Sequence, residues 1–150
     1  MNLQGLIDNL NNNLSENKKL VDLKYYLESY SGNEWINKIS FDKNKKYTRN
    51  LLYCNNRYEI YVLCWNENIS SNIHNHPKNG CLMKIMDGDL INEVYNKKLD
   101  IISNENLKKG DVSYIDDDIG YHKIINKNMK SISLHIYSPP KFDLTIFSKL

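Results

Sequence analysis

Alanine is absent from the 150 residues, arginine occurs twice, proline three times and glycine six times. The gap sits beside 23 asparagines and 18 lysines among the 20 basic residues, a compositional bias rather than the demand of any fold. Against that background the scarce residues, Arg49, Arg57 and four histidines, carry most of the information. Cysteine is scarce too. Cys54, Cys64 and Cys81 make an odd set with no CxxC pair, which argues against a disulfide framework and a zinc ribbon and for a reducing, cytoplasmic compartment. The net charge is only +2, 20 basic minus 18 acidic residues, and both signs are spread along the chain. Neither a nucleic-acid stripe nor a funnel for acidic substrates is indicated. No apolar run approaches the roughly 20 residues of a membrane span. The segment Met1 to Leu10 carries Asp8 and no basic flank, so a soluble chain without a processed leader is expected. At this length a single domain, residues 1–150, can bury roughly 68–70% of its unfolded surface in one core.

Leucine and isoleucine supply the first pattern. Leu3, Leu6, Ile7, Leu10 and Leu14, then Leu20, Leu23 and Leu27 beyond a break at Ser15, fall at helical spacing, so residues 1–40 read as two or three short helices forming an amphipathic layer. From Tyr47 the chain turns to short β-prone runs separated by Gly, Asn, Asp and Pro clusters. Strands are expected at Tyr47–Tyr53, Tyr58–Trp65, Cys81–Met86, Asp89–Tyr95, Asp111–Ile115, His122–Ile125 and Ser131–Tyr137. Many short strands at near-regular spacing make residues 45–150 a sandwich or barrel. The Asp116-Asp117-Asp118 run reads as a solvated turn, since no glycine-spaced calcium loop surrounds it. Arg57, in a polar turn, reads as an ordinary surface charge.

All four histidines fall in strings with chemical content. His74 and His76 are two apart, and in an extended chain such residues project to one side, where two imidazoles can share a metal. Downstream, Gly120-Tyr121-His122 supplies a third imidazole. Ser133, His135 and Tyr137 alternate along one strand face, lining up a hydroxyl, an imidazole and a phenol. A face of three neutral ligands suits iron(II), zinc or copper and leaves positions open for a substrate. An anionic donor such as a thiolate would supply the charge such a face lacks.

The HxH string, the Cys81 and Gly88 that follow it, and His122 with Asn126 resemble the paired motifs of the cupin superfamily, with Cys81 where the ordinary pattern has Glu. More of the chain resembles the cysteine dioxygenase family. The strings are Tyr47-Thr48-Arg49-Asn50-Leu51, Leu63-Cys64-Trp65, Ser71-Asn72-Ile73-His74-Asn75-His76, Cys81-Leu82-Met83-Lys84, Gly120-Tyr121-His122 and Ser133-Leu134-His135-Ile136-Tyr137-Ser138-Pro139-Pro140, in order and without large gaps. The resemblance implies a mainly β fold, a small jelly-roll-like cupin barrel with a short N-terminal helical layer. It implies Fe(II) held by His74, His76 and His122, a substrate carboxylate held by Arg49 with Tyr47 nearby, and oxidation of L-cysteine by O2 to cysteine sulfinic acid. It further implies a hydrogen-bonded triad of Ser133, His135 and Tyr137, a Cys81–Tyr137 thioether as a protein-derived cofactor, and a cis Ser138-Pro139 bond. A monomer with no nucleic-acid or membrane partner is expected. Two alternatives stay open: a dioxygenase of 3-mercaptopropionate or another small thiol, whose members tend to lack the arginine, and a non-catalytic metal-binding cupin module. Two departures from the family stand out. Gly80 replaces a larger residue before Cys81, and Lys141–Leu150 lacks the longer hairpin and the cysteine that follow Pro140 in relatives, which leaves the site entrance less shielded.

Overall fold

A computed structural model describes residues 1–149. Helix α1 (Leu3–Asn13) opens with Asn2, whose Oδ1 accepts from the Gly5 amide at 2.9 Å and satisfies one of the free N–H groups of the first turn. A 3-10 turn over Leu20–Leu23 runs into α2 (Lys24–Ser29), and a second 3-10 turn spans Glu34–Lys38. The strands follow: β1 (Tyr47–Cys54), β2 (Glu59–Trp65), β3 (Ile69–Ser70), β4 (Ile73–His74), β5 (Cys81–Asp87), β6 (Asp89–Tyr95), β7 (Ile101–Lys108), β8 (Val112–Ile115), β9 (Tyr121–Asn126), β10 (Ser131–Tyr137) and β11 (Ile146–Phe147).

They form two antiparallel sheets, ordered β1-β2-β10-β5-β8 and β11-β4-β9-β6-β7, with β3 also paired to β9. This is the expected barrel of jelly-roll type. In the first sheet the period-two alternation divides the side chains cleanly. Ile60, Val62, Cys64, Leu82, Ile132, Leu134 and Ile136 face the helices and pack on Leu6, Leu10, Leu20, Leu23 and Leu27. The opposite face looks into the barrel, where Leu63, Trp65, Met83 and Ile85 meet Leu90, Leu107 and Ile124 of the second sheet. Every fully buried leucine of the helical layer contributes roughly 1.5–3 kcal/mol relative to exposure, which holds three short helical segments that would not persist alone.

Lys84 shows how tightly that layer is tied down. It is buried on the helix side of β5, and its Nζ donates to the carbonyls of Leu27 (3.2 Å), Glu28 (3.1 Å) and Tyr30 (2.7 Å) at the C-terminal end of α2. Burial holds its pKa below the usual lysine range, and three carbonyls compensate for the lost water.

The expected strands are all present, but four strands were not legible. β7 reads Ile-Ile-Ser-Asn-Glu-Asn-Leu-Lys, lies at a sheet edge and buries only Leu107, so it has no apolar alternation to detect. β3, β4 and β11 are two residues long. The Ser138-Pro139 bond is cis. Gly80 takes φ +87°, and a Cβ there would lie 2.6 Å from the Tyr114 hydroxyl and 2.7 Å from the Ile115 carbonyl, so the glycine is required by its surroundings. No helix among the described residues is long and apolar enough to cross a membrane.

Candidate active site

His74 on β4 stands directly opposite His122 on β9, and opposite residues of an antiparallel pair project to the same side. His76 lies two residues past His74. The three rings have centroids 4.4–5.1 Å apart, and one nitrogen from each lies within 4.8 Å of the others.

The outer partners define which nitrogen is free. His74 Nδ1 lies 2.7 Å from the Asn72 carbonyl, which can only accept, so that nitrogen carries the proton. His122 Nδ1 lies 2.8 Å from Asn92 Oδ1, while the Asn92 amide donates to Glu105 (3.1 Å) and Ser113 (3.4 Å), so His122 is likewise the donor at Nδ1. His76 has both ring nitrogens buried without a hydrogen-bond partner among the described residues, and its Nδ1 lies 3.5 Å from Asp117 Oδ1. In each ring Nδ1 faces an acceptor and Nε2 is left with a lone pair and no partner. Burial first, then the neighbouring His76, lowers the His74 pKa to about 4, and burial likewise lowers His76 and His122, so all three are neutral near pH 7. Buried, neutral and unpartnered nitrogens converging on one point fit a divalent metal with nitrogen affinity.

Asp117 corrects the reading of the acidic run. Its Oδ1 accepts from the His76 amide at 2.9 Å. Asp116 is buried and accepts from Tyr114 Oη (2.6 Å), Lys19 Nζ (2.9 Å) and the amides of Asp118 and Ile119. The solvated-turn expectation holds for Asp118 alone, whose side chain is 86% exposed. The run is a packed turn that supports His76 from behind, as outer carboxylates commonly do at metal sites.

A cavity of about 180 Å³ is lined by His74 and His122 of the cluster, and also by Tyr47, Arg49, Glu59, Trp65, His135 and Tyr137. At roughly 30 Å³ per water it holds a ligand of a few heavy atoms. Arg49, on β1, has no hydrogen bond or ion pair among the described residues. Its guanidinium carbon lies 4.4 Å from the Tyr61 ring centre and 5.4 Å from that of Tyr137. Tyr47 packs on Trp65 with ring centres 4.5 Å apart. Phe142, Asp143 and Leu144 also line the cavity, because β11 pairs with β4 beside His74 and the Thr145 amide donates to Asn75 Oδ1 at 2.7 Å.

Ser133, His135 and Tyr137 are linked as their spacing suggests, and Trp65 extends the chain of hydrogen bonds. Trp65 Nε1 can only donate, and it donates to Ser133 Oγ at 2.9 Å. Ser133 Oγ lies 2.7 Å from His135 Nε2, and His135 is neutral, its pKa lowered to about 3 by burial and by Arg49, so one ring nitrogen donates and the other accepts. The other nitrogen, Nδ1, shares a hydrogen bond with Tyr137 Oη at 3.0 Å. Cys81 stands opposite Tyr137 in the β5–β10 register, its Sγ 3.8 Å from His135 Nδ1, and burial pushes both thiol and phenol pKa values up. The structure brings the three imidazoles together, places Arg49 and Tyr47 on the adjoining cavity, and links Ser133, His135 and Tyr137 with Cys81 beside them, all residues singled out in the sequence. Sequence reasoning missed Asn92, Asp117, Glu59 and Tyr61, and the only signal for any of them was the acidic run.

Residues 2–150 match the model of the family described as cysteine dioxygenase type I. Among curated relatives, cysteine dioxygenase type 1 of Rattus norvegicus is 34% identical over 131 residues, and that of Homo sapiens 34% over 134 residues, each match covering 79% of this chain. That of Danio rerio is 30% identical over 138 residues, covering 84% of this chain and 68% of the relative. The chain spans about 64% of the length of the rat and human relatives. Among solved structures, a protein with a double-stranded β-helix domain from Klebsiella pneumoniae is similar with a TM-score of 0.63 at 16% identity, covering 76% of this chain and 94% of that one. A cupin superfamily protein from Desulfitobacterium hafniense gives 0.56 at 14% identity, covering 72% and 90%. At such identities these structures share the fold, and the fold here is that of a cupin.

Proposed function

The chain belongs to the cysteine dioxygenase type I family, and we propose that it is a non-haem iron(II) thiol dioxygenase that converts L-cysteine and O2 to cysteine sulfinic acid. The observation that carries the reading is the meeting of three imidazoles, with His76 buried and unpartnered, next to a cavity lined by His74, His122 and the unpaired guanidinium of Arg49. His74, His76 and His122 would hold the metal through Nε2. Iron(II) bound there supplies the redox chemistry by which both atoms of O2 join the sulfur, RSH + O2 giving RSO2H.

The protein's own contribution is orientation. Arg49 holds the substrate carboxylate with two parallel N–H donors, the geometry a planar guanidinium provides and an ammonium does not. Tyr47 stands beside it on β1. Tyr137, held by the hydrogen-bonded chain from Trp65 through Ser133 and His135, presents its hydroxyl to the carboxylate. Three cysteines that are all free accord with a reducing, cytoplasmic compartment. The test is oxygen uptake by the iron(II)-loaded chain with product analysis. Cysteine sulfinate formed with one O2 per cysteine is the expected result. Faster turnover of 3-mercaptopropionate would transfer the reading to that class of thiol, and no uptake with any thiol would leave a metal-binding module.

A thioether between Cys81 and Tyr137 belongs to the same proposal, supported by their opposite register and shared packing. Joining sulfur to the ring carbon beside the phenol oxygen removes one hydrogen from each side chain, with the two electrons passing to O2. After turnover, peptide mapping should show the joined Cys81 and Tyr137 peptides two hydrogens lighter, and Cys81→Ala should remove the signal. Free residues after many turnovers would show the link to be dispensable.

A further inference from the structure

Glu59 is a carboxylate with 5% of its surface exposed, facing the barrel interior, and the mechanism gives it no task. A buried charge needs a partner. It has no ion pair with Arg49, although both line the same cavity. Its partner is Tyr61, whose Oη donates to Glu59 Oε2 at 3.3 Å. Burial, and then Glu59, pushes the Tyr61 phenol pKa up, so the proton stays on the phenol and the donor is Tyr61. On its face, the Tyr61 ring carries the Arg49 guanidinium at 4.4 Å. The register explains the meeting. Arg49 on β1 pairs with Leu63 on β2, which makes Tyr61 its diagonal neighbour on the same face, with Glu59 two residues further along.

We propose that Tyr61, anchored by Glu59, is a specificity-determining positioning residue that fixes the plane of Arg49 for the carboxylate of the thiol substrate. The inference rests on the reading of Arg49 given above. A guanidinium stacked flat on a ring keeps its N–H edges free. Glu59 is engaged by the Tyr61 hydroxyl and makes no ion pair with Arg49, so no internal carboxylate has to be displaced from the guanidinium by that of a substrate. Donation to a carboxylate draws electron density into the phenol ring and strengthens its hold on the cation.

The test compares L-cysteine with cysteamine, a thiol without a carboxylate, on the iron(II)-loaded chain. Tyr61→Leu should raise the ratio of apparent KM values, cysteine over cysteamine, about tenfold, the scale of a cation–π interaction in a partly desolvated site. Tyr61→Phe, which keeps the ring, should raise it about threefold. Adding Glu59→Gln to Tyr61→Leu should recover part of the loss, because the collapse of Glu59 onto Arg49 is then prevented. A second readout needs no metal. The chain has two arginines, so its Nε–Hε NMR spectrum holds two signals, assignable with Arg49→Gln. The Arg49 signal should be displaced by the Tyr61 ring current and return toward the free-arginine position in Tyr61→Leu. An unmoved signal, or equal KM increases for both thiols, would overturn the proposal. An Arg49→Gln variant with an unchanged KM ratio would instead overturn the carboxylate-binding role of Arg49, while the NMR displacement still decides whether Tyr61 positions it.

Discussion

His122→Ala should abolish iron-dependent oxygen uptake and lower iron(II) affinity by more than about 100-fold, since loss of even an outer partner of a metal ligand commonly costs 10–100-fold. His122 is the central member of the cluster. It stands opposite His74 in the β4–β9 register, its ring centre lies 4.4 Å from that of His76, and Asn92 fixes its Nδ1. Removing it leaves two imidazoles, which cannot cap one face of a six-coordinate ion. Affinity is measured by competition with a chromophoric chelator, and uptake with an oxygen electrode and L-cysteine. Wild-type uptake in the variant would end the metal-centre reading, and unfolding is checked separately by the thermal midpoint of the metal-free chain.

The second large effect concerns Arg49. Arg49→Gln should raise the apparent KM for L-cysteine about 30-fold, while cysteamine, which offers no carboxylate, shifts by less than about threefold. Removing a bidentate charged interaction from a desolvated site costs about 2–5 kcal/mol, and the lower end applies because Arg49 is exposed on the cavity side of β1. About 2 kcal/mol corresponds to that factor. The thermal midpoint should stay close to wild type, because the guanidinium makes no hydrogen bond or ion pair among the described residues that folding would lose. Steady-state kinetics on the two thiols decide the matter, and an equal change for both would show that Arg49 does not grip a carboxylate.

Both variants target residues that the sequence alone makes conspicuous. An HxH string, a Ser-x-His-x-Tyr string and a rare arginine are local patterns, and the two-residue repeat of an extended chain is enough to put Ser133, His135 and Tyr137 on one face. The leucine spacing of the first helices was legible for the same reason. Local periodicity survives folding because the backbone has few allowed conformations.

The partners that make those residues work are distant in the chain. Asn92 reaches His122 across 30 positions, and Trp65 reaches Ser133 across 68. Lys84 caps α2 from 54 positions beyond Tyr30, and Asp117 reaches the His76 amide across 41. Each depends on strand register or on how a turn packs, which are decided by many weak interactions summed over the whole core. A shift of β2 by one residue would turn Glu59 and Tyr61 outward and bring Ile60 and Val62 into the cavity, with no change in the motifs. The sequence by itself determined the repeat of the elements and the identity of the chemical groups. Tertiary structure alone decided which imidazole nitrogen is free, where the acidic turn packs and what stands beside Arg49, because an antiparallel register is a relation between strands that neither strand encodes alone.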